Sequence, residues 1–74
     1  MKNKQLKTVT GKFAGLADPH TFEMTTDETE EGYMVFQFQD EEMLAVLENM
    51  QPDQEITVTY QTNEYGQNVA ESIK

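Results

Sequence analysis

The 74-residue chain has no cysteine and no arginine, and it carries one histidine and one serine. Without cysteine, neither a disulfide nor a thiolate-bound zinc ion can brace the fold. A single domain of this size buries only about 60% of its unfolded surface, close to the lower limit for unaided folding. Its stability therefore rests on one small core of Phe, Tyr, Met, Leu, Ile and Val, and a few kcal/mol is the expectation. Long apolar runs are also missing. No segment approaches the roughly 20 apolar residues needed to span a bilayer. The basic start MKNKQLKTVTGK has no apolar stretch behind it, as a signal peptide would. The expectation is a cytoplasmic protein with no membrane partner, exported only if a signal has been trimmed.

Positive charge is scarce along most of the chain. Lys2, Lys4, Lys7 and Lys12 fall in the first twelve residues and Lys74 is the last, while fourteen acids bring the formal net charge to −9. Phosphate backbones are bound through cations that release counterions, so such a surface excludes nucleic acid as an expected partner. Read plainly, the acids solubilise the surface. Read more sharply, they attract a basic or nucleic-acid-binding protein, as an acidic decoy would.

Catalytic groups are just as sparse. His20 has no second histidine with which to hold a metal, and Ser72, the only serine, lies at the far end of the chain. Asp18-Pro19-His20 reads instead as a strand-connecting turn, with the Asp18 side chain bonding nearby backbone. Asp27, Thr29 and Glu31 match the first ligand positions of an EF-hand loop and Gly32 its glycine, but Phe38 stands where the bidentate glutamate belongs. That loop reads as a solvated hairpin connection, and weak cation binding there is left open. The clustered carboxylates lie in that loop and in a first helical turn, without the contrast of environments that acid–base pairs need. No enzyme, no catalytic residue, no metal and no cofactor is expected.

The chain does contain short alternating runs set off by turn residues. In Leu6–Leu16, Val9, Gly11 and Phe13 share a face, then Gly15 interrupts and Leu16 changes parity, as at a bulge. His20–Thr25 turns Phe22 and Met24 inward. After the polar TTDETEEG, YMVFQFQ places Met34, Phe36 and Phe38 on one face, with Tyr33 and Val35 on the other. The period then becomes helical. Met43, Leu44, Leu47 and Met50 form a stripe behind an Asp40 N-cap, and Pro52 closes the element. EITVTYQT buries Ile56, Val58 and Tyr60, NEYG is a hairpin loop, and QNVAESIK offers Val69 and Ile73. The methionines serve as core filler.

The order β-β-β-α-β-β is that of a five-stranded OB-like barrel, mainly β with one helix between strands three and four. A single OB-like domain over residues 1–74 is expected, with residues 1–5 disordered. Barrels of this kind bind ligands on the face of strands two and three, between the loops joining strands one to two and four to five. Those loops are residues 17–20 and 63–66. The candidate ligand-binding residues are His20, Thr21, Tyr33, Val35 and Tyr65, with Thr25 beside them. The expected function is a non-enzymatic binding or interaction module for a protein, a peptide or a small neutral ligand. The chain is expected to be a monomer or weak homodimer.

Gly11, Phe13, Gly15, Ala17, Asp18, His20 and Glu23 spell G-x-F-x-G-x-A-D-x-H-x-x-E. Val58 and Tyr60 follow a V-x-x-Y strand shortened by one residue, and Asn63, Gly66 and Gln67 an N-x-x-G-Q turn. In these motifs the chain resembles a small domain of Gram-positive bacteria. The resemblance implies an OB-like β-barrel of unknown function, sometimes attached to secreted or lipid-anchored proteins. It transfers no active site.

Overall fold

The computed structural model describes residues 5–74, so most of the stretch expected to be disordered, residues 1–4, lies outside the described residues. Five strands and one helix follow in the expected order: β1 (Lys7–Asp18), β2 (Thr21–Thr25), β3 (Tyr33–Gln37), α1 (Glu41–Glu48), β4 (Glu55–Thr62) and β5 (Asn68–Ile73). The strands close into a barrel in the order β1-β2-β3-β5-β4. All pairings are antiparallel except the seam between β3 and β5, a single parallel bridge, Gln37 to Val69.

β1 belongs to two pairings and must coil to serve both. Its first half pairs with β4, from Lys7 opposite Tyr60 to Lys12 opposite Glu55. Its second half pairs with β2, with register shifts between Phe13 and Gly15 and between Leu16 and Asp18. Gly15 has φ +138°, a conformation open to glycine and strained for other residues. The parity change predicted there is present, and it returns Leu16 to the interior opposite Phe22. Gly11 is required for a different reason. A Cβ at that position would overlap the Thr25 carbonyl oxygen and lie 2.7 Å from the Met24 methyl carbon.

The core is built from the alternating residues of every strand. Phe22, Met24, Phe36 and Val58 have no exposed surface, and Ile56 and Leu47 almost none. Phe22 stacks on Phe36 at 5.2 Å between ring centroids, and Tyr60 meets Phe36 edge-on at 5.1 Å. Such pairs add about 0.5–1.5 kcal/mol each beyond their area burial. α1 starts as its sequence dictates: the Asp40 carboxylate accepts from the Glu42 N–H at 2.9 Å. It stops earlier than Pro52 implies. Asn49 caps it, donating its backbone N–H to the Val46 carbonyl and its side-chain amide to the Ala45 carbonyl at 2.9 Å. Met43 and Leu47 reach the core, and Leu44 and Met50 pack at its rim.

β5 departs from the simple alternation. A shift in the β4–β5 register makes Ala70 face Tyr60 and Ile73 face Val58. Ala70 is therefore the buried residue, and Val69 moves to the half-buried outer side. The bulge, invisible in the residue types, reverses the expected role of Val69.

Candidate functional site

The two loops expected to frame a ligand lie at one end of the barrel, because the Gln37–Val69 bridge joins the end of β3 to the start of β5. Both are built by side-chain-to-backbone bonds. Asp18 Oδ1 accepts from the His20 N–H at 2.8 Å, and the His20 carbonyl accepts from the Phe38 N–H at 3.0 Å. Asn63 Oδ1 accepts from the N–H groups of Tyr65 at 2.9 Å and Gln67 at 3.0 Å, while Gly66 takes φ +79°. His20 is thus an exposed turn residue whose backbone extends the sheet. Tyr65 is 79% exposed on its hairpin.

Between the loops, the outer face of β1, β2 and β3 is a ladder of directly opposed residues. Thr21 faces Gln37, Glu23 lies between Gly15 and Val35, and Thr25 lies between Lys12 and Tyr33. Tyr33 and Val35 keep 46% and 41% of their surface exposed, whereas their in-facing neighbour Phe36 keeps none. An open groove of about 490 Å³ at the loop end is lined by Asp18, His20, Thr21, Gln37, Phe38 and Gln39. Of the five candidate residues, His20 and Thr21 meet at this groove. Val35 and Tyr33 continue along β3 away from it, and Tyr65 stands apart on the facing hairpin.

Sequence patterning missed Lys12, Glu23 and Gln37. Lys12 reaches the face only because β1 carries its two shifts. The register set by Asp18 opposite Thr21 would otherwise place Lys12 opposite Asp27. Glu23 and Gln37 were legible as outward positions from the alternation alone.

The acidic loop between β2 and β3 folds back on β1. Glu28 accepts from the Thr10 N–H and Thr26 donates to the Thr10 carbonyl. Among the described residues, no three acidic or histidine side chains converge in a way that could hold a metal ion.

No curated protein is significantly similar to the chain in sequence. In three dimensions it is similar to the mitochondrial single-stranded DNA-binding protein of S. cerevisiae, with a TM-score of 0.78 and 11% identity, over 99% of this chain and 94% of that one. At that identity the likeness speaks for the fold, and it overturns two expectations. Excluding nucleic acid on charge does not stand, because a single-stranded DNA-binding protein uses this same barrel. The reading as a protein- or peptide-binding module, with its acidic-decoy alternative, falls with it. The physical reason is that the net charge of the chain is not the charge of the face, which holds few of the fourteen acids. The ladder from Lys12, Gly15 and Asp18 across to Tyr33, Val35 and Gln37 carries two carboxylates, Glu23 and Asp18, and one ammonium, Lys12, with Glu55 beside Lys12 on β4. Most of the acids lie on α1, in the 27–31 loop and on β4, β5 and their loop. From residue 5 to residue 74 the sequence matches the LytA beta-barrel domain, and the chain belongs to that family.

Proposed function

We propose that the chain is a non-catalytic binder of single-stranded nucleic acid that holds bases on the outer face of β1–β2–β3 and takes little from the phosphates. The observation that carries this reading is the row Lys12–Thr25–Tyr33, in which a half-exposed aromatic ring shares a face with a cation across one strand. Stacking of a base on an aromatic side chain contributes about 1–3 kcal/mol and tolerates any sequence. Val35 extends the apolar floor beside Tyr33. Thr21, Thr25 and Gln37 supply hydroxyl and amide groups for base edges or sugar oxygens. The likeness of the barrel to a single-stranded DNA-binding protein supports the choice of ligand class.

The charge sets the character of the binding. With Lys12 the one lysine on the face, about one phosphate is neutralised. The logarithm of the binding constant then falls with log salt at a slope of about −0.7. Fluorescence anisotropy with a labelled ten-residue single strand at low salt tests this. Saturable binding with that shallow slope is expected, and Tyr33→Ala weakens it about 5- to 150-fold, the range that the stacking energy implies. No saturable binding, or binding unchanged in Tyr33→Ala, overturns the reading.

A further inference from the structure

The geometry points to Glu23 as the residue that selects the base, with guanine preferred, an inference that rests on reading this face as a single-strand platform. Of the two carboxylates on the ladder, Asp18 lies at its loop end, where it accepts from the His20 N–H, and Glu23 stands at its centre. Its two directly opposed neighbours are Gly15, which has no side chain, and Val35, which cannot hydrogen-bond. The space over Gly15 is open, since even a Cβ there would meet nothing within 4 Å. Neither neighbour can satisfy the carboxylate or shield it from a ligand.

Tyr33 is diagonal to Glu23, because it opposes Thr25, two residues along β2. Diagonal neighbours on a sheet lie about 7–8 Å apart, within reach of long side chains. A base stacked on Tyr33 can therefore turn its Watson–Crick edge toward Glu23. An ionised carboxylate only accepts hydrogen bonds. Guanine offers it two parallel donors, N1–H and the N2 amino group. Cytosine and adenine offer one amino group each beside a ring-nitrogen acceptor. Thymine and uracil present one N–H flanked by two carbonyl oxygens that the carboxylate repels. The same negative charge that weakens phosphate binding thus ranks the bases.

The test uses thymidine pentanucleotides carrying guanine, cytosine, adenine or thymine at the centre, titrated into the wild-type chain and into Glu23→Gln at low salt. Binding is read by anisotropy and by the amide NMR shifts of Glu23 and Val35. The guanine pentamer is expected to bind at least about fivefold more tightly than the thymine one, the low end for a bidentate base contact. Glu23→Gln, whose amide presents one donor and one acceptor, is expected to reduce that ratio to below twofold. If all four pentamers bind within twofold of each other, or the guanine preference survives in Glu23→Gln, base selection by Glu23 is wrong and the platform stands. If none of the four binds, the platform itself falls, and the selection with it.

Discussion

The Glu28 carboxylate accepts a hydrogen bond at 3.0 Å from the backbone N–H of Thr10, eighteen residues earlier in the chain. At the same position Thr26 Oγ1 donates to the Thr10 carbonyl at 2.9 Å, and it accepts from the Glu28 N–H at 3.1 Å. Thr10 lies past the last residue of β1 that pairs with β2, so two side chains complete the ladder where the strand has ended. Thr26 is the one buried polar residue among those described, and these bonds explain how it is satisfied. Thr26→Val is expected to cost about 1–3 kcal/mol, because two backbone groups lose their partner. Glu28→Ala is expected to cost about 1 kcal/mol. Urea denaturation measures both, and amide exchange at Thr10 should accelerate in each variant. Unaltered exchange would show that the loop does not hold β1 in solution.

The glycines of β1 separate two kinds of constraint. Gly11→Ala drives a methyl group into the Thr25 backbone and should cost about 3 kcal/mol or more, at the upper end of overpacking. Gly15→Ala meets no atom and suffers only its backbone angle, so a loss of about 1–2 kcal/mol is expected. Thermal melts of the two variants should rank them in that order, and the reverse order would contradict the close approach at Gly11.

Phe22 touches the rings of Phe13, Phe36 and Phe38, with centroids 5.2 to 6.3 Å away. Phe22→Ala is expected to cost about 3–5 kcal/mol, most of what a domain this small possesses. Circular dichroism at 25 °C should show a largely unfolded chain. A cooperative melt near that of the wild type would mean that the core lies elsewhere.

Net repulsion among fourteen acids and five lysines should make the fold more stable as salt rises, most steeply below about 0.15 M, where the Debye length exceeds about 8 Å. Melting temperature measured against sodium chloride concentration checks this, and a flat or falling curve would contradict it. On the proposed function the same salt series is expected to weaken oligonucleotide binding, so stability and affinity should move in opposite directions.

Much of the barrel is legible in the residues, because period-two burial and a capped helix leave local signals. Met34–Phe38 alternates without interruption, Asp40 announces α1, and Gly15 betrays a break in parity. What the residues do not announce is register. The shifts in β1 carry Lys12 from a position opposite Asp27 to one opposite Thr25, and the shift in β5 exchanges Val69 for Ala70 inside the barrel. A shift of one residue has no compositional mark when its position tolerates any side chain. The candidate face shows the same division. Tyr33, Val35 and Thr21 follow from alternation, whereas the partnership of Tyr33 with Lys12 exists only once two hairpin registers are known. Composition misled most where it was averaged over the whole surface, since the acids that dominate the total stand mostly away from this face.

The lone bridge from Gln37 to Val69 makes the ring of strands a clasped bracelet with one hook. Every other join is secured by several rungs, so this is where the ring should first spring open, and amides beside it should exchange at a cost well below global unfolding. Because the 17–20 and 63–66 loops flank this hook, one on each half of the ring, a strand lying across both would act as a second fastening. Occupancy of the face should then be readable as slower exchange at the clasp, without any change in the average shape of the protein.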